Sequence, residues 1–293
     1  MNPPAQKNLI LGMAVGMKLE HLKPFFLSLE KAGYRGDICL CVADLEPATL
    51  DFLRERRVNF IPFQKAYLKH KWSRLATFAG LFMKPAQRRR FEEQMLLTYI
   101  HMHCARHIHF RNYLAECGNG YDHVMMADTR DILFQRDPFD FEIPEGLGVF
   151  MEDPSQTIGA NFSNSTWIRE GFGEDVLKEM ADKRIYCSGT IFGSPEILRD
   201  YFDQVLQIYS ERKPVRTIDQ ATENYILHKQ PPKMWRAFDN DDGPVLTMTN
   251  MKPDQFHFNK QGLLVNAAGR VFNTLHQYDR HPEITKRLLQ TLT

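Results

Sequence analysis

Val124-Met-Met-Ala-Asp128-Thr-Arg-Asp131 is a short, wholly apolar run that breaks off into two carboxylates. Four consecutive apolar residues without alternation read as a strand covered on both faces, as central strands of parallel sheets are. In open α/β sheets ligands bind outside the carboxyl ends of the strands, so Asp128 and Asp131 are expected to face a site. A hard divalent cation bridging a diphosphate asks for this arrangement: one or two carboxylates from the protein, with phosphate oxygens completing the shell. Arg130 between them is placed to pair with phosphate or to hold one carboxylate. The competing reading is a strand-end turn in which Asp128 caps backbone amides and Asp131 pairs with an Arg.

The segments upstream supply the rest of such a sheet. Asn8 to Val15 is apolar and bounded by Gly16; Leu19, Leu22, Phe26 and Leu29 then recur at helical spacing before Gly33. Asp37 to Ala43 reads as a second strand, Pro47 to Arg57 as a short helix and Val58 to Phe63 as a third strand. This βαβαβ order predicts an α/β fold, a mostly parallel Rossmann-like sheet with helices on both faces. Lys65 to Cys117 reads as helical, interrupted near Met83-Lys-Pro85, with a long second helix from Arg88 to Glu116. Downstream, a strand is expected at Gly148 to Glu152, a Gly/Ser/Asn-rich loop to Ser165 and a helix from about Trp167 to Asp182. A strand at Tyr186 to Phe192 and helices at Pro195 to Ser210 and Asp219 to His228 follow, then short strands and turns from Gly243 to Leu275. No repeat or Pro/Gly linker interrupts the chain, so residues 1–293 are expected to form a single domain.

Composition excludes several classes. With 43% apolar and 12% aromatic residues among 293, the chain can bury a large core and is not disordered. Lys plus Arg is 37 against 36 Asp plus Glu, a net charge of +1 that recruits neither nucleic acid nor anionic lipid as a global field. Leu9 to Met17 is too short to span a bilayer, no later run approaches that length, and no secretory signal is read. A soluble protein is the expectation. Five cysteines at irregular spacing, with no CxxC pair, suit a reducing cytoplasm, and the sequons Asn161-Phe-Ser and Asn164-Ser-Thr are then without consequence. Arg88-Arg-Arg90 and Lys65 to Arg74 read as solvated helix faces, although a local basic patch leaves room for an anionic acceptor or peripheral membrane contact. P-loop, GxGxxG, HExxH and GxSxG motifs are missing, which leaves kinase, Rossmann dehydrogenase, zinc protease and serine hydrolase readings without support.

Three further segments join the carboxylate pair. Cys187-Ser-Gly-Thr-Ile-Phe-Gly-Ser-Pro-Glu196, Asp219-Gln220-Ala-Thr-Glu-Asn224 and Val271-Phe-Asn-Thr-Leu-His276-Gln-Tyr-Asp-Arg280 follow it in that order. Together with Asp128-x-x-Asp131, which stands where the family has its DxD motif, they resemble the GT-A glycosyltransferases of the glycogenin and bacterial galactosyltransferase group. The resemblance spans positions 124 to 282. It implies a nucleotide-sugar-binding half over about residues 1–131, an acceptor-binding half over about 132–293, and transfer of a sugar from a nucleoside diphosphate to a glycan or other hydroxyl acceptor.

By the same resemblance Asp128, Asp131 and His276 would hold Mn²⁺ or Mg²⁺, the spacing of two intervening residues leaving open which carboxylate is the direct ligand. Arg106, Arg130, Ser188, Gly189 and Arg280 would bind the donor, Arg280 standing nearest to the family's diphosphate-gripping Lys and Arg111 being the alternative to Arg106. Asp219 would bind hydroxyls and Gln220 would lie near the anomeric carbon. An inverting enzyme would need a carboxylate base, for which Glu152, Asp153 and Asp219 are the candidates. His103 and His107 in the His-rich segment share a helix face but lack a third ligand, and read as partly buried polar groups. Two other functions stay open: a sugar-phosphate nucleotidyltransferase on a similar sheet, and a catalytically silent module that binds a sugar nucleotide or glycan.

Overall fold

The computed structural model describes residues 7–63, 85–98, 100–212 and 218–292. Its centre is a seven-stranded sheet in the order β3-β2-β1-β4-β7-β6-β8. These strands are β1 (Asn8–Val15), β2 (Asp37–Ala43), β3 (Asn59–Pro62), β4 (His123–Ala127), β6 (Leu147–Met151), β7 (Tyr186–Gly193) and β8 (Trp235–Phe238). Only β7 runs against its neighbours, pairing antiparallel with β4 and β6. The mostly parallel α/β sheet expected from the βαβαβ order is therefore present.

Alternation along the strands divides the core in two. Leu9, Leu11, Met13 and Val15 face one layer with Cys39, Cys41, Val124 and Met126. Ile10 and Ala14 face the other with Leu40, Met125 and Ala127. The second layer is closed by helix α1 (Leu19–Lys31), whose Leu22, Phe25, Phe26 and Leu29 are buried. At roughly 1.5 to 3 kcal/mol for each fully buried large apolar side chain, these layers hold the strand ends in place. All five cysteines are free thiols, with Cys117 alone exposed.

A separate three-stranded sheet, β5-β12-β9, lies at the carboxyl end of β4. It consists of β5 (Ile132–Phe134), β9 (Val245–Thr247) and β12 (Thr274–His276), the short antiparallel pair β10 (His257–Phe258) and β11 (Leu264–Val265) intervening in the chain, and packs with the C-terminal helix over a third core around Leu133, Leu246 and Leu275. The sequence reading anticipated short strands here but not β5, whose three residues follow Asp131 directly.

Several helices differ from expectation. The long helix read over Arg88 to Glu116 is two helices among the described residues, α3 (Pro85–Leu97) and α4 (Met102–Cys117), and His101 accepts from the His103 amide as the cap of the second. Residues 65–83 lie outside the described residues. The helix expected from Trp167 to Asp182 starts earlier, at Phe162, and splits into α5 (Phe162–Phe172) and α6 (Glu174–Met180) at Gly173, whose φ of 95° no ordinary residue adopts readily. The Asn-rich loop thus ends at Asn161, an N-cap. Helices α7 (Pro195–Arg212) and α8 (Asp219–Lys229) cover the sheet as expected. Helix α9 (Pro282–Gln290) had no counterpart in the reading. No helix among the described residues is long and apolar enough to cross a membrane.

Candidate active site

Where β4 ends, two close approaches draw separate elements together. Gly12 in β1 has no side chain to obstruct Thr129: a Cβ there would stand 2.5 Å from Thr129 Cγ2. Thr129 accordingly reaches the strand and donates its hydroxyl to the Met13 carbonyl at 2.5 Å, anchoring the turn between the two aspartates. On the other side β7 runs antiparallel to β4, so Gly189 lies opposite the strand's end and its carbonyl accepts from the Asp128 amide at 2.9 Å. A Cβ on Gly189 would lie 2.3 Å from His276 Nε2 and 2.8 Å from Asp128 Oδ2. Glycine is required there because the histidine and the aspartate occupy that space.

His276 arrives through the small sheet. It pairs with Ile132 across the antiparallel β12 and β5 strands, and the next amide, that of Gln277, donates to the Asp131 carbonyl at 2.7 Å. One register therefore places the histidine beside the aspartate. His276 Nε2 stands 3.8 Å from Asp128 Oδ2 and 3.6 Å from Asp131 Oδ1. Ligand atoms of the three residues lie within 4.8 Å of one another, the one such trio of potential metal ligands among the described residues.

The donor set fits a divalent cation. His276 Nε2 is buried with no hydrogen-bond partner, although a buried polar atom left unpaired is costly. Its other ring nitrogen, Nδ1, is 3.5 Å from the Cys187 sulfur. Two carboxylate oxygens and one imidazole nitrogen converging on one point suit a cation of the Mn²⁺ type.

Charge around the trio is arranged asymmetrically. Arg106, on α4 and almost fully buried, donates to Asp128 Oδ1 at 2.5 Å and to Asp219 Oδ2 at 3.2 Å. Burial would raise the Asp128 pKa, but Arg106, joined by His276, outweighs it and holds that carboxyl below its usual range. Asp131 moves the other way: burial raises its pKa, His276 opposes this, and the nearby Asp128 charge adds to the rise. Arg280 offsets part of that, donating through Nη2 to Asp131 Oδ2 at 3.3 Å.

These groups line a cleft of about 330 Å³, large enough for part of a small-molecule ligand. Arg106, Asp128, Arg130, Asp131, Ser188, Asp219, Gln220 and Arg280 all border it, with Gly189 and His276 directly behind. Arg111 is elsewhere, paired with Glu93 and with Asp203 at 3.4 Å. Of the three candidate bases only Asp219 borders the cleft. Glu152 spends both carboxylate oxygens on Gln220 and Asn250 at 2.8 Å each, and Asp153 accepts from the Ser155 amide and from Gln255.

Trp167 borders the cleft and was not singled out by sequence, and His103, read there as a partly buried polar group, borders it too. Trp167 sits on α5, and the Asn161 cap three residues before Asn164 was the available signal for that helix. His107 is buried against Cys104 and Tyr209, and burial together with Arg106 lowers its pKa to about 3.

No protein-family model matches the sequence, and no curated protein matches it. Solved structures do. The galactosyltransferase LgtC, in complex with donor and acceptor sugar analogues, aligns over 97% of this chain and 95% of its own at 13% identity and a TM-score of 0.50. An active-site mutant of LgtC aligns over 97% and 96% at 13% identity and 0.49. Mouse xyloside xylosyltransferase 1, in its apo form, aligns over 92% and 97% at 12% identity and 0.44. The coverage of both chains by the first alignment, taken with the sheet order, identifies the architecture as the GT-A glycosyltransferase fold.

Proposed function

We propose that the protein is a divalent-metal-assisted glycosyltransferase that moves a sugar from a nucleoside diphosphate to a glycan or other hydroxyl acceptor. The observation that carries this reading is the convergence of Asp128, Asp131 and the unpaired His276 Nε2 at the end of a central strand, within a cleft of a GT-A fold. Asp128, Asp131 and His276 would hold the cation, which when bound supplies positive charge opposite a leaving diphosphate.

The protein's own groups account for the remainder. Arg130 and Arg280 border the cleft beside the trio, and Arg280, half exposed and paired with Asp131 and Asp279, would exchange Asp131 for a phosphate. Preorganised charge of this kind acts where negative charge develops, at little reorganisation cost. Asp219 is fixed by Arg106 and presents a carboxylate to sugar hydroxyls. Gln220 lies next to it on the first turn of α8, at the wall where the transferred sugar would sit. The donor half is then assigned to about residues 1–131 and the acceptor half to the remainder.

A panel of UDP-, GDP- and CDP-sugars, each with and without Mn²⁺, tests the reading by thermal shift and then by turnover. Metal-dependent stabilisation by one nucleotide class, followed by transfer, is expected. Stabilisation by a glycan alone would point to a binding module, and turnover of a nucleoside triphosphate with a sugar phosphate to a nucleotidyltransferase. Asp131→Asn should lower transfer by at least about 10²-fold, on the order of 3 kcal/mol of transition-state stabilisation. Unchanged Mn²⁺-dependent turnover would remove Asp131 from the ligand set.

A further inference from the structure

Behind the cleft a chain of amides runs from a group whose direction is beyond doubt. A backbone N–H can only donate, and that of Asn164 donates to Asn161 Oδ1 at 3.0 Å. The oxygen end of Asn161 is thereby assigned. Asn164 Nδ2 donates to the same oxygen at 3.1 Å, which assigns the nitrogen end of Asn164 and turns its oxygen the other way. That oxygen accepts from Gln220 Nε2 at 3.0 Å. The second proton on Gln220 Nε2 goes to Glu152 Oε1 at 2.8 Å, and Asn250 Nδ2 steadies the far oxygen of Glu152 at 2.8 Å.

The consequence lies at the other end of the Gln220 carboxamide. A primary amide has two N–H donors and one carbonyl oxygen. Both donors of Gln220 are spent on buried acceptors, Glu152 and Asn164 each being 3% exposed. Its Oε1 accepts from no described residue and is not a buried, unpaired atom, while the side chain borders the cleft. The oxygen is therefore the end that faces the cleft. Reversing the amide would set a carbonyl oxygen against Asn164 Oδ1, which stays an acceptor whatever the protonation of Glu152, and lose that bond.

We propose that Glu152 and Asn164 are positioning residues that hold the carbonyl oxygen of Gln220 toward the bound sugar. The wall beside Asp219 then offers a fixed acceptor, suited to a sugar hydroxyl or to a carbon gaining positive charge, and offers no N–H there. This role for Glu152 replaces that of a catalytic base. The proposal rests on the transferase reading for its ligand, though the orientation itself stands on the hydrogen bonds.

The test uses ¹⁵N-labelled full-length protein and the donor identified in the nucleotide-sugar panel. The Gln220 side-chain amide, assigned by its loss in Gln220→Glu, should exchange with solvent at least about tenfold more slowly than exposed glutamines such as Gln207. Glu152→Leu and Asn164→Leu remove an acceptor, and each should abolish the protection and lower kcat by at least about tenfold. The donor KM should change less than about threefold, because binding elsewhere in the cleft is untouched. Glu152→Gln keeps an acceptor oxygen toward Gln220 and should restore protection and most of kcat. An unprotected Gln220 amide in an active wild-type transferase overturns the orientation while leaving the transferase reading intact. So do leucine variants with undiminished kcat, and, if the leucine variants do not fold, a Glu152→Gln variant that lacks the protection. A protected amide in a protein that turns over no nucleotide sugar keeps the orientation and overturns the transferase reading.

Discussion

The Asp128 end of the cleft and the buried layer behind Gln220 at its other end hold carboxylates in opposite ways. At the Asp128 end charge answers charge: Arg106 joins Asp128 to Asp219, Arg280 reaches Asp131, and a histidine nitrogen is left over between the carboxylates. At the Glu152 end the partners are neutral amides, from Gln220 and Asn250. Burial pushes the Glu152 pKa from 4.5 up to about 7, the two amides only partly opposing it, whereas Asp128 stays below its usual range. Each end is built for a different task. A site that keeps negative charge inside a protein can recruit a cation, while a site that satisfies a carboxylate with neutral donors orients side chains and leaves no ligand position vacant.

The largest expected effect breaks the charged end. Arg106→Met would strand Asp128 and Asp219 without their common partner, and removal of one partner from a buried ion pair costs about 3 to 5 kcal/mol. Urea denaturation should register it, and Asp219→Asn in the same background should recover part of the loss. A loss below about 1 kcal/mol would mean that the two ends do not differ in the way described.

The neutral end makes a smaller prediction, with a sign. The folded Glu152 keeps its proton up to about pH 7, whereas the unfolded chain releases it near 4.5. Between those values the folded state binds more protons, so stability falls as pH rises through the window, by at most on the order of 3 kcal/mol. Glu152→Gln should lack this component. Because Glu223 is also raised, to about 8 by burial and the Asp219 charge, the comparison with the variant isolates Glu152. Denaturation midpoints at several pH values between about 4.5 and 8 in both proteins provide the measurement; parallel curves would contradict a raised Glu152.

The smallest effect sharpens the assignment of the ligands. His276→Ala should weaken Mn²⁺ binding in the presence of a nucleoside diphosphate on the order of tenfold or more, since a direct ligand should cost at least what an outer-shell partner does. Titration calorimetry of the two proteins decides it. Equal affinities would return His276 to a purely structural role between β5 and β12.

Much of this architecture is local chemistry and could be read before any coordinates. The apolar run at Val124 and the strand and helix patterns before it depend on residues within one element, where periodicity reports burial directly. Asp128 and Asp131 could be nominated as well, because they follow the end of such an element; Ser188, Asp219 and His276 were nominated through the resemblance of their segments to the GT-A glycosyltransferases. The boundaries that failed did so where a single residue overrode the periodicity, as Gly173 does between α5 and α6 and Asn161 does before α5.

Which of these residues meet is set by long-range packing. Asp131 and His276 come together through the register of two three-residue strands that are far apart in the chain, and strands so short carry no pattern of their own. Arg106 was expected to bind the donor; packing of its helix sets it at the cleft wall with Asp128 and Asp219 as its partners, which the sequence did not foretell. Glu152 looked like a base by type, yet its role follows from an amide chain begun at the Asn164 backbone. Sequence determines which chemical groups stand at the ends of elements, since that is local. Whether a carboxylate there meets a cation, a guanidinium or an amide depends on long-range packing, and that choice sets both its charge and its use.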